Sequence, residues 1–150
     1  MTLYPNKLNF KVKRLSPDEI PEAVALIWEV FSEFEAPEYS KEGVRAFRAA
    51  LDDGERNRAM AFYGAFAAGE LIGVLAVRKP QHIGYFFVKA EYQRKGVGRA
   101  LVSVVLEKYR DVRQIELATD DVPETVGFYK ALGFREMSEL GCAGFMKMST

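Results

Sequence analysis

Between Val88 and Leu101 the sequence reads Val-Lys-Ala-Glu-Tyr-Gln-Arg-Lys-Gly-Val-Gly-Arg-Ala-Leu. An apolar run ends there, basic residues gather, two glycines stand one apart, and a helix pattern opens at once. The first turn of a helix has amides without intrahelical partners, and its dipole places partial positive charge on them. Gly96 and Gly98 have no side chains to keep an anion from the main chain, and Arg94, Lys95 and Arg99 add full charges. Gln93, Arg94, Lys95, Gly96, Val97, Gly98 and Arg99 therefore read as a cradle for a phosphate or pyrophosphate. A bare G-x-G reads equally well as a tight turn into a packed helix. No Lys-Ser or Lys-Thr follows the glycines, as a P-loop requires. Leu101 stands where a dinucleotide fingerprint wants its third glycine, and the ribose-acid spacing of Glu116 and Asp120 is read as coincidence. A coenzyme A cradle fits better than either.

The elements that must carry this turn follow from periodicity. Phe10, Val12 and Leu15 alternate with polar residues as a half-buried strand. Ser16-Pro17-Asp18-Glu19 is a capping box, and Ile20, Val24, Ile27, Phe31 and Phe34 then make one helical stripe, stopped by Pro37. A second helix is predicted from Ser40, with Val44, Phe47 and Leu51 inward, fading at Asp52-Asp53-Gly54. MAFYGAFA, LIGVLAV and HIGYFFV are strands, the first two joined through Ala68-Gly69-Glu70 as a hairpin. After the glycine turn come a helix with Val97, Leu101, Val104 and Val105 inward, a strand at Ile115 and Leu117, a helix over 123–132, and two strands around FREMSE and GFMKMS. The predicted order is β-α-α-β-β-β-α-β-α-β-β: an α/β domain with a mixed central sheet and helices on both faces.

Composition sets the limits. The 150 residues suit a single domain, 1–150, and 49% apolar with 28% charged residues is a globular balance. Lys and Arg number 21, as do Asp and Glu, which argues against nucleic acid as the partner. One cysteine (Cys142) and one histidine (His82) allow neither an intrachain disulfide nor an ordinary zinc site, so no metal is expected. No signal peptide or membrane span is legible, and a cytoplasmic protein without membrane contact is expected.

Gln93-Arg94-Lys95-Gly96-Val97-Gly98 matches a Q/R-x-x-G-x-G/A motif, and Phe128-Tyr129-Lys130-Ala131-Leu132-Gly133-Phe134 matches F-Y-x-x-L-G-F. With both motifs on the right elements, the chain resembles the GCN5-related N-acetyltransferases, in element order over nearly its whole length. The resemblance implies the acyl-CoA N-acyltransferase fold and acetyl-CoA as co-substrate. It implies that the strand holding Phe86, Phe87 and Val88 splays from its neighbour and offers main-chain groups to the pantetheine arm. The amides of 93–99 would then hold the pyrophosphate, and an amide near Phe87 or Val88 would polarise the thioester carbonyl. Tyr129 matches the tyrosine near the thioester sulfur, placed to donate to the leaving thiolate. The sequence departs from the family where many members carry an Asn: Val122 stands there, and against an Asn-Ser-Ser-Pro-like turn Asp120 takes the Asn position. Asp120 accepts a hydrogen bond from a pantetheine amide but cannot donate one.

Acetyl transfer needs a neutral amine, which for a lysine-like group costs about 4–5 kcal/mol at pH 7. Candidate bases are His82, at the start of the cofactor strand, Tyr85 on the same strand, and Glu33, within the acidic stretch Glu29, Glu33, Glu35 and Glu38 on the side that faces the acceptor in this family. Those carboxylates favour a cationic acceptor, a primary amine on a small molecule or peptide, attacked directly in a ternary complex. A sensor that binds acyl-CoA without turnover is the alternative. Cys142 reads as a small strand residue, and the apolar final strands suit pairing in a homodimer.

Overall fold

A computed structural model describes residues 8–79 and 81–148. A break in contacts after Leu117 divides the chain into two compact units, 1–117 and 118–150.

The first unit is built on a four-stranded antiparallel sheet in the order β1-β2-β3-β4, with β1 Lys11–Arg14, β2 Ala61–Ala67, β3 Glu70–Arg78 and β4 His82–Val88. The β2–β3 hairpin turns through two residues, Ala68 (φ 50°) and Gly69 (φ 82°). Two successive positive φ values match the twist of the flanking strands, which is why a short loop with glycine reads as a hairpin. β1 is an edge strand bearing exposed Lys11, Lys13 and Arg14, charges that discourage further edge pairing.

Helices cover both faces. α1, Ile20–Phe34, lays Ala23, Leu26, Ile27, Val30 and Phe31 on the face carrying Val74, Ala76, Phe62 and Tyr85. Its entry is the capping box read from sequence: the Ser16 N–H donates to Glu19 Oε1 at 2.9 Å and the Glu19 N–H to Ser16 O at 2.9 Å. Phe34, expected on the buried stripe, lies half exposed at the last turn. α2, Lys41–Leu51, starts at Ser40, whose Oγ accepts from the Gly43 N–H at 3.0 Å. Asp53 then caps an unexpected short helix, α3 (Gly54–Arg58), by accepting from the Arg56 N–H at 3.1 Å. On the other face α4, Val97–Lys108, buries Val97, Leu101, Val102 and Val105.

The order departs from expectation after α4. The predicted strand at Ile115 and Leu117 is reduced to one parallel bridge, Glu116 to His82, which is the whole parallel content of the described sheet. In the second unit α5 spans Pro123–Ala131, and the two final strands are not formed among the described residues. Met137–Leu140 instead makes a 3-10 turn closed by Gly141 at φ 78°, with the Cys142 N–H on Met137 O at 2.9 Å. A left-handed residue bends the chain where a ladder needs it extended. Cys142 is therefore an exposed turn residue, not a strand residue. Phe145, Met146 and Met148 are exposed.

Candidate functional site

The site is assembled where β4 ends and α4 begins. Gly96 stands at the helix N-cap with φ 87°, where it supplies no side-chain acceptor, and no acid lies in the first turn of α4. Ala100 is the first residue whose N–H finds an intrahelical acceptor, Gly96 O at 3.0 Å. The amides of Val97, Gly98 and Arg99 precede it, at the positive end of the helix dipole. Arg94 is also left-handed, at φ 61°, a conformation costing a non-glycine residue about 1–2 kcal/mol. Lys95 and Arg99 are exposed there.

Packing fixes this turn against the sheet. Val97 and Leu101 press on Gly73 of β3 so closely that a Cβ on Gly73 would lie 3.0 Å from Val97 Cγ1 and 3.1 Å from Leu101 Cδ1. Gly73 thus lets α4 approach β3, a role that strand periodicity does not reveal.

β4 contributes main-chain groups. The Lys89 N–H donates to Ile72 O at 2.9 Å, and Val88 pairs with Gly73, Phe87 with Val74 and Phe86 with Leu75. Antiparallel pairs alternate between bonded and non-bonded. Phe87 is consequently tied to β3, while the backbone groups of Phe86 and Val88 point to the outer edge. Val88 O accepts there from Gln93 Nε2 at 2.9 Å. Of the two amides expected to polarise a carbonyl at this edge, Val88 faces it and Phe87 does not. Side chains alternate likewise: Phe87 faces Phe47, 6.2 Å between rings, and Phe47 stacks on Phe31 at 3.8 Å, whereas a Cβ on Gly73 would meet Val88 Cγ2 at 3.4 Å, on the α4 side. The ladder shifts register at Ala76/Val77, opposite Gly84.

On its outer edge β4 pairs with a strand segment at one point among the described residues, the bridge at His82. Glu116 closes it three ways: its O accepts from the Ile83 N–H at 2.9 Å, its N–H donates to Gln81 O at 3.1 Å, and its Oε1 lies 3.3 Å from His82 Nδ1. The acid read as a coincidence of spacing is the histidine's partner. Six strand steps separate His82 from Val88, about 20 Å. Sequence reasoning missed Glu116 because only the return of the chain brings it to β4.

Glu33 is exposed on the last turn of α1 and Glu29 one turn earlier, with Glu35 half-buried and Glu38 in the 3-10 turn Ala36–Glu38. Tyr85 accepts at its phenol from Arg56 Nη1 at 3.3 Å, and burial pushes its pKa up against the opposing pull of Arg56.

In the second unit Tyr129 lies on α5 between Phe128 and Phe134, both rings edge-on at 5.1 and 5.6 Å. Burial pushes its phenol up to about 12. The remainder of the F-Y-x-x-L-G-F motif is a helix stop. Gly133, at φ 94°, donates its N–H to Lys130 O at 3.0 Å, and the Phe134 N–H reaches Tyr129 O at 3.0 Å. That is a Schellman cap, with Tyr129 and Phe134 as its apolar pair. Asp120 is exposed, its carbonyl accepting from the Val122 N–H at 3.0 Å ahead of Pro123, which opens the helix. Among the described residues no group of three or more His, Cys, Asp and Glu gathers to hold a metal, and no helix is long and apolar enough to cross a membrane.

Comparisons with known proteins bear on the fold and the family. The chain is similar to the PaiA N-acetyltransferase of Thermoplasma acidophilum, solved in complex with coenzyme A, at TM-score 0.68 and 21% identity, covering 85% of this chain and 91% of that one. It is similar to a GNAT family acetyltransferase of Streptococcus pneumoniae TIGR4 at TM-score 0.66 and 21% identity, covering 94% and 97%. It is 32% identical over 92 residues to the UPF0157 protein YqkA of Bacillus subtilis (strain 168); the match takes in 59% of this chain and spans about a quarter, 27%, of that relative's length. Residues 35–148 match the family described as the acetyltransferase (GNAT) domain, a span holding both the glycine turn and the Tyr129 helix, and the chain belongs to that family.

Proposed function

We propose that the chain is an acetyl-CoA-dependent N-acetyltransferase acting on a primary amine of a small or cationic acceptor by direct attack in a ternary complex. The observation that carries the reading is the open first turn of α4, with no side-chain cap and no acid, beside the edge of β4 to which Val88 directs its main chain. In this reading the amides of 97–99 hold the diphosphate, and Lys95 and Arg99 add charge. Asp120 accepts from a pantetheine amide. The Val88 amide steadies the negative charge that grows on the thioester oxygen as the amine attacks; the carbon–sulfur bond then breaks, the coenzyme departs as its thiolate, and the proton that the nitrogen loses passes to solvent.

Tyr129 serves as a hydrogen-bond donor to the departing sulfur. With its phenol at about 12 against a thiol near 8.5, full proton transfer is uphill by about 5 kcal/mol. A phenol that keeps its proton still donates through the whole step. The acidic stretch containing Glu33 gathers a cationic acceptor. His82, about 20 Å along β4 from Val88 and engaged with Glu116, fixes the strand rather than touching the amine, so the amine attacks from its neutral fraction.

The test is calorimetry with coenzyme A followed by thiol release from acetyl-CoA across a panel of amines at low and high salt. Saturable binding and turnover with cationic amines, weakened by salt, are expected. No heat with any CoA thioester overturns the reading, and binding without turnover leaves a sensor instead.

A further inference from the structure

We infer that Glu70 is a positioning residue for the anion turn, acting through Tyr92 and Lys89; the inference rests on the coenzyme reading above. Glu70 opens β3 directly after the hairpin and uses its two carboxylate oxygens separately. Tyr92 Oη donates to Oε2 at 2.9 Å, and Lys89 Nζ donates to Oε1 at 3.3 Å. Those two donors bracket the 3-10 turn Ala90–Tyr92, which delivers the chain to Gln93.

The main chain of this stretch is tied at Lys89, to Ile72 O, and the Gln93 side chain is tied to Val88 O. Between those ties, the side chains of 89 and 92 meet on one carboxylate that belongs to a different strand. The directions of ionisation agree. The Tyr92 phenol and Lys89 ammonium hold the Glu70 carboxyl below its ordinary value. The carboxylate in turn holds the phenol up, and for Lys89 the downward pull of burial is outweighed by Glu70 together with Glu29 and Glu91. Glu29 and Glu91 also face Lys89. The Lys89 cation is thereby engaged by the carboxylate of β3.

A site made of amides depends on their convergence, so the order of the entering segment sets how much of the binding free energy goes into arranging the turn. Charged contacts this exposed are individually weak, which scales the expected effect to a few-fold change.

The experiment compares wild type with Glu70→Ala, Glu70→Gln, Tyr92→Phe and the double variant Glu70→Ala/Tyr92→Phe. Hydrogen exchange is followed at the bonded amides of Tyr92, Gln93 and Ala100 and, as an internal control, at 101–105, and calorimetry gives the coenzyme A Kd. Exchange at Tyr92, Gln93 and Ala100 is expected to quicken about three- to tenfold in Glu70→Ala and the Kd to rise by the same factor, with 101–105 unchanged. The double variant is expected to match Glu70→Ala, because Tyr92 acts through Glu70, and Glu70→Gln to recover part of the loss, its amide oxygen still accepting from Tyr92. Exchange and Kd within twofold of wild type in Glu70→Ala overturn the inference, as does equal quickening along all of α4. A wild-type protein that takes up no coenzyme A overturns the coenzyme reading instead, and the exchange arm still decides whether Glu70 orders the turn.

Discussion

Replacing Gly73 by Ala tests whether the α4 N-terminus is held by the sheet. The added methyl would sit 3.0 Å from Val97 Cγ1, 3.1 Å from Leu101 Cδ1 and 3.4 Å from Val88 Cγ2. Carbon atoms prefer about 3.5–4.0 Å, so two of the three contacts are short by about half an ångström. Val97 and Leu101 are fully buried and cannot swing aside. The strain is relieved by pushing α4 off β3 or by forcing side chains from their rotamers, at about 1–3 kcal/mol. Alanine's smaller chain-entropy cost returns about 0.5–1 kcal/mol. A net loss of about 1 kcal/mol lowers Tm by about 2–4 °C in a chain of this size. The same half-ångström carries the amides of 97–99 away from the end of β4. It weakens hydrogen bonds to a charged group worth about 1.5–3 kcal/mol each, so coenzyme A affinity should fall about fivefold. Gly64→Ala is the control: its Cβ would meet Leu15 Cδ2 at 2.7 Å and Leu71 Cδ1 at 2.8 Å, away from α4. It should cost as much stability and leave the Kd of the folded protein unchanged. Melting curves and calorimetry on both variants decide the matter. Wild-type Tm and Kd in Gly73→Ala, or an equal loss of affinity in Gly64→Ala, would refute the idea that this contact sets the turn.

Tyr129→Phe should lower kcat about ten- to a hundredfold with the coenzyme A Kd almost unchanged; equal loss of both, read by steady-state kinetics and calorimetry, would reduce Tyr129 to packing. Gly98→Val should abolish coenzyme binding by filling the space of the anion, and undiminished heat in that variant would count against the cradle. With a lysine-like acceptor, the rate should rise about tenfold per pH unit below the amine's pKa, and His82→Asn should leave that slope intact; a break in the profile that vanishes with the substitution would return the base role to His82. Because Tyr92 and Lys89 hold the Glu70 carboxyl below 4.5, its ordering of the turn is present above that pH and is lost as pH falls through the lowered value. Exchange protection at the amides of Tyr92, Gln93 and Ala100, relative to the intrinsic rate at each pH, should report that loss.

Local rules carried much of this fold. Ser16 with Glu19, Ser40 before its helix, and Ala68-Gly69 between two apolar runs each specify their structure within four residues. The glycine turn was legible for the same reason, since an uncapped helix start needs only its own sequence. The three later strands were not. Apolar alternation around Ile115, FREMSE and GFMKMS signals a surface fit for a ladder but supplies no partner. One bridge at Glu116 and a 3-10 turn at Met137–Leu140 are what formed. Glu70 and Glu116 escaped notice on similar grounds: each meets its partner across 19 or more residues, and nothing local marks the pairing. Phe34 fits the period of α1 and is still half exposed, because periodicity sets direction and not whether anything stands opposite.

Both motifs divide into a part that builds and a part that can react. In the first, Gln93 spends its side chain on Val88 O and Val97 is core, so what remains for an anion is peptide N–H groups with flanking cations. In the second, Gly133 and Phe134 end the helix on the carbonyls of Lys130 and Tyr129, and the Tyr129 ring packs between Phe128 and Phe134 with its phenol held high by burial. This division sets how the two sites should respond to substitution. A cation such as Lys95, exposed to water and screened by salt, contributes modestly and replaceably. An amide has no side chain to replace, so only proline, which lacks the N–H, or a change in backbone path, at Gly96, Gly98 or the Gly73 contact, removes it. A chain with 21 cations and 21 anions has no general field to draw a phosphate, so the direction of a few N–H groups must do what net charge does elsewhere. On the proposed coenzyme reading, the geometry of residues 93–99 should therefore set the affinity more than the electrostatics of the whole surface does.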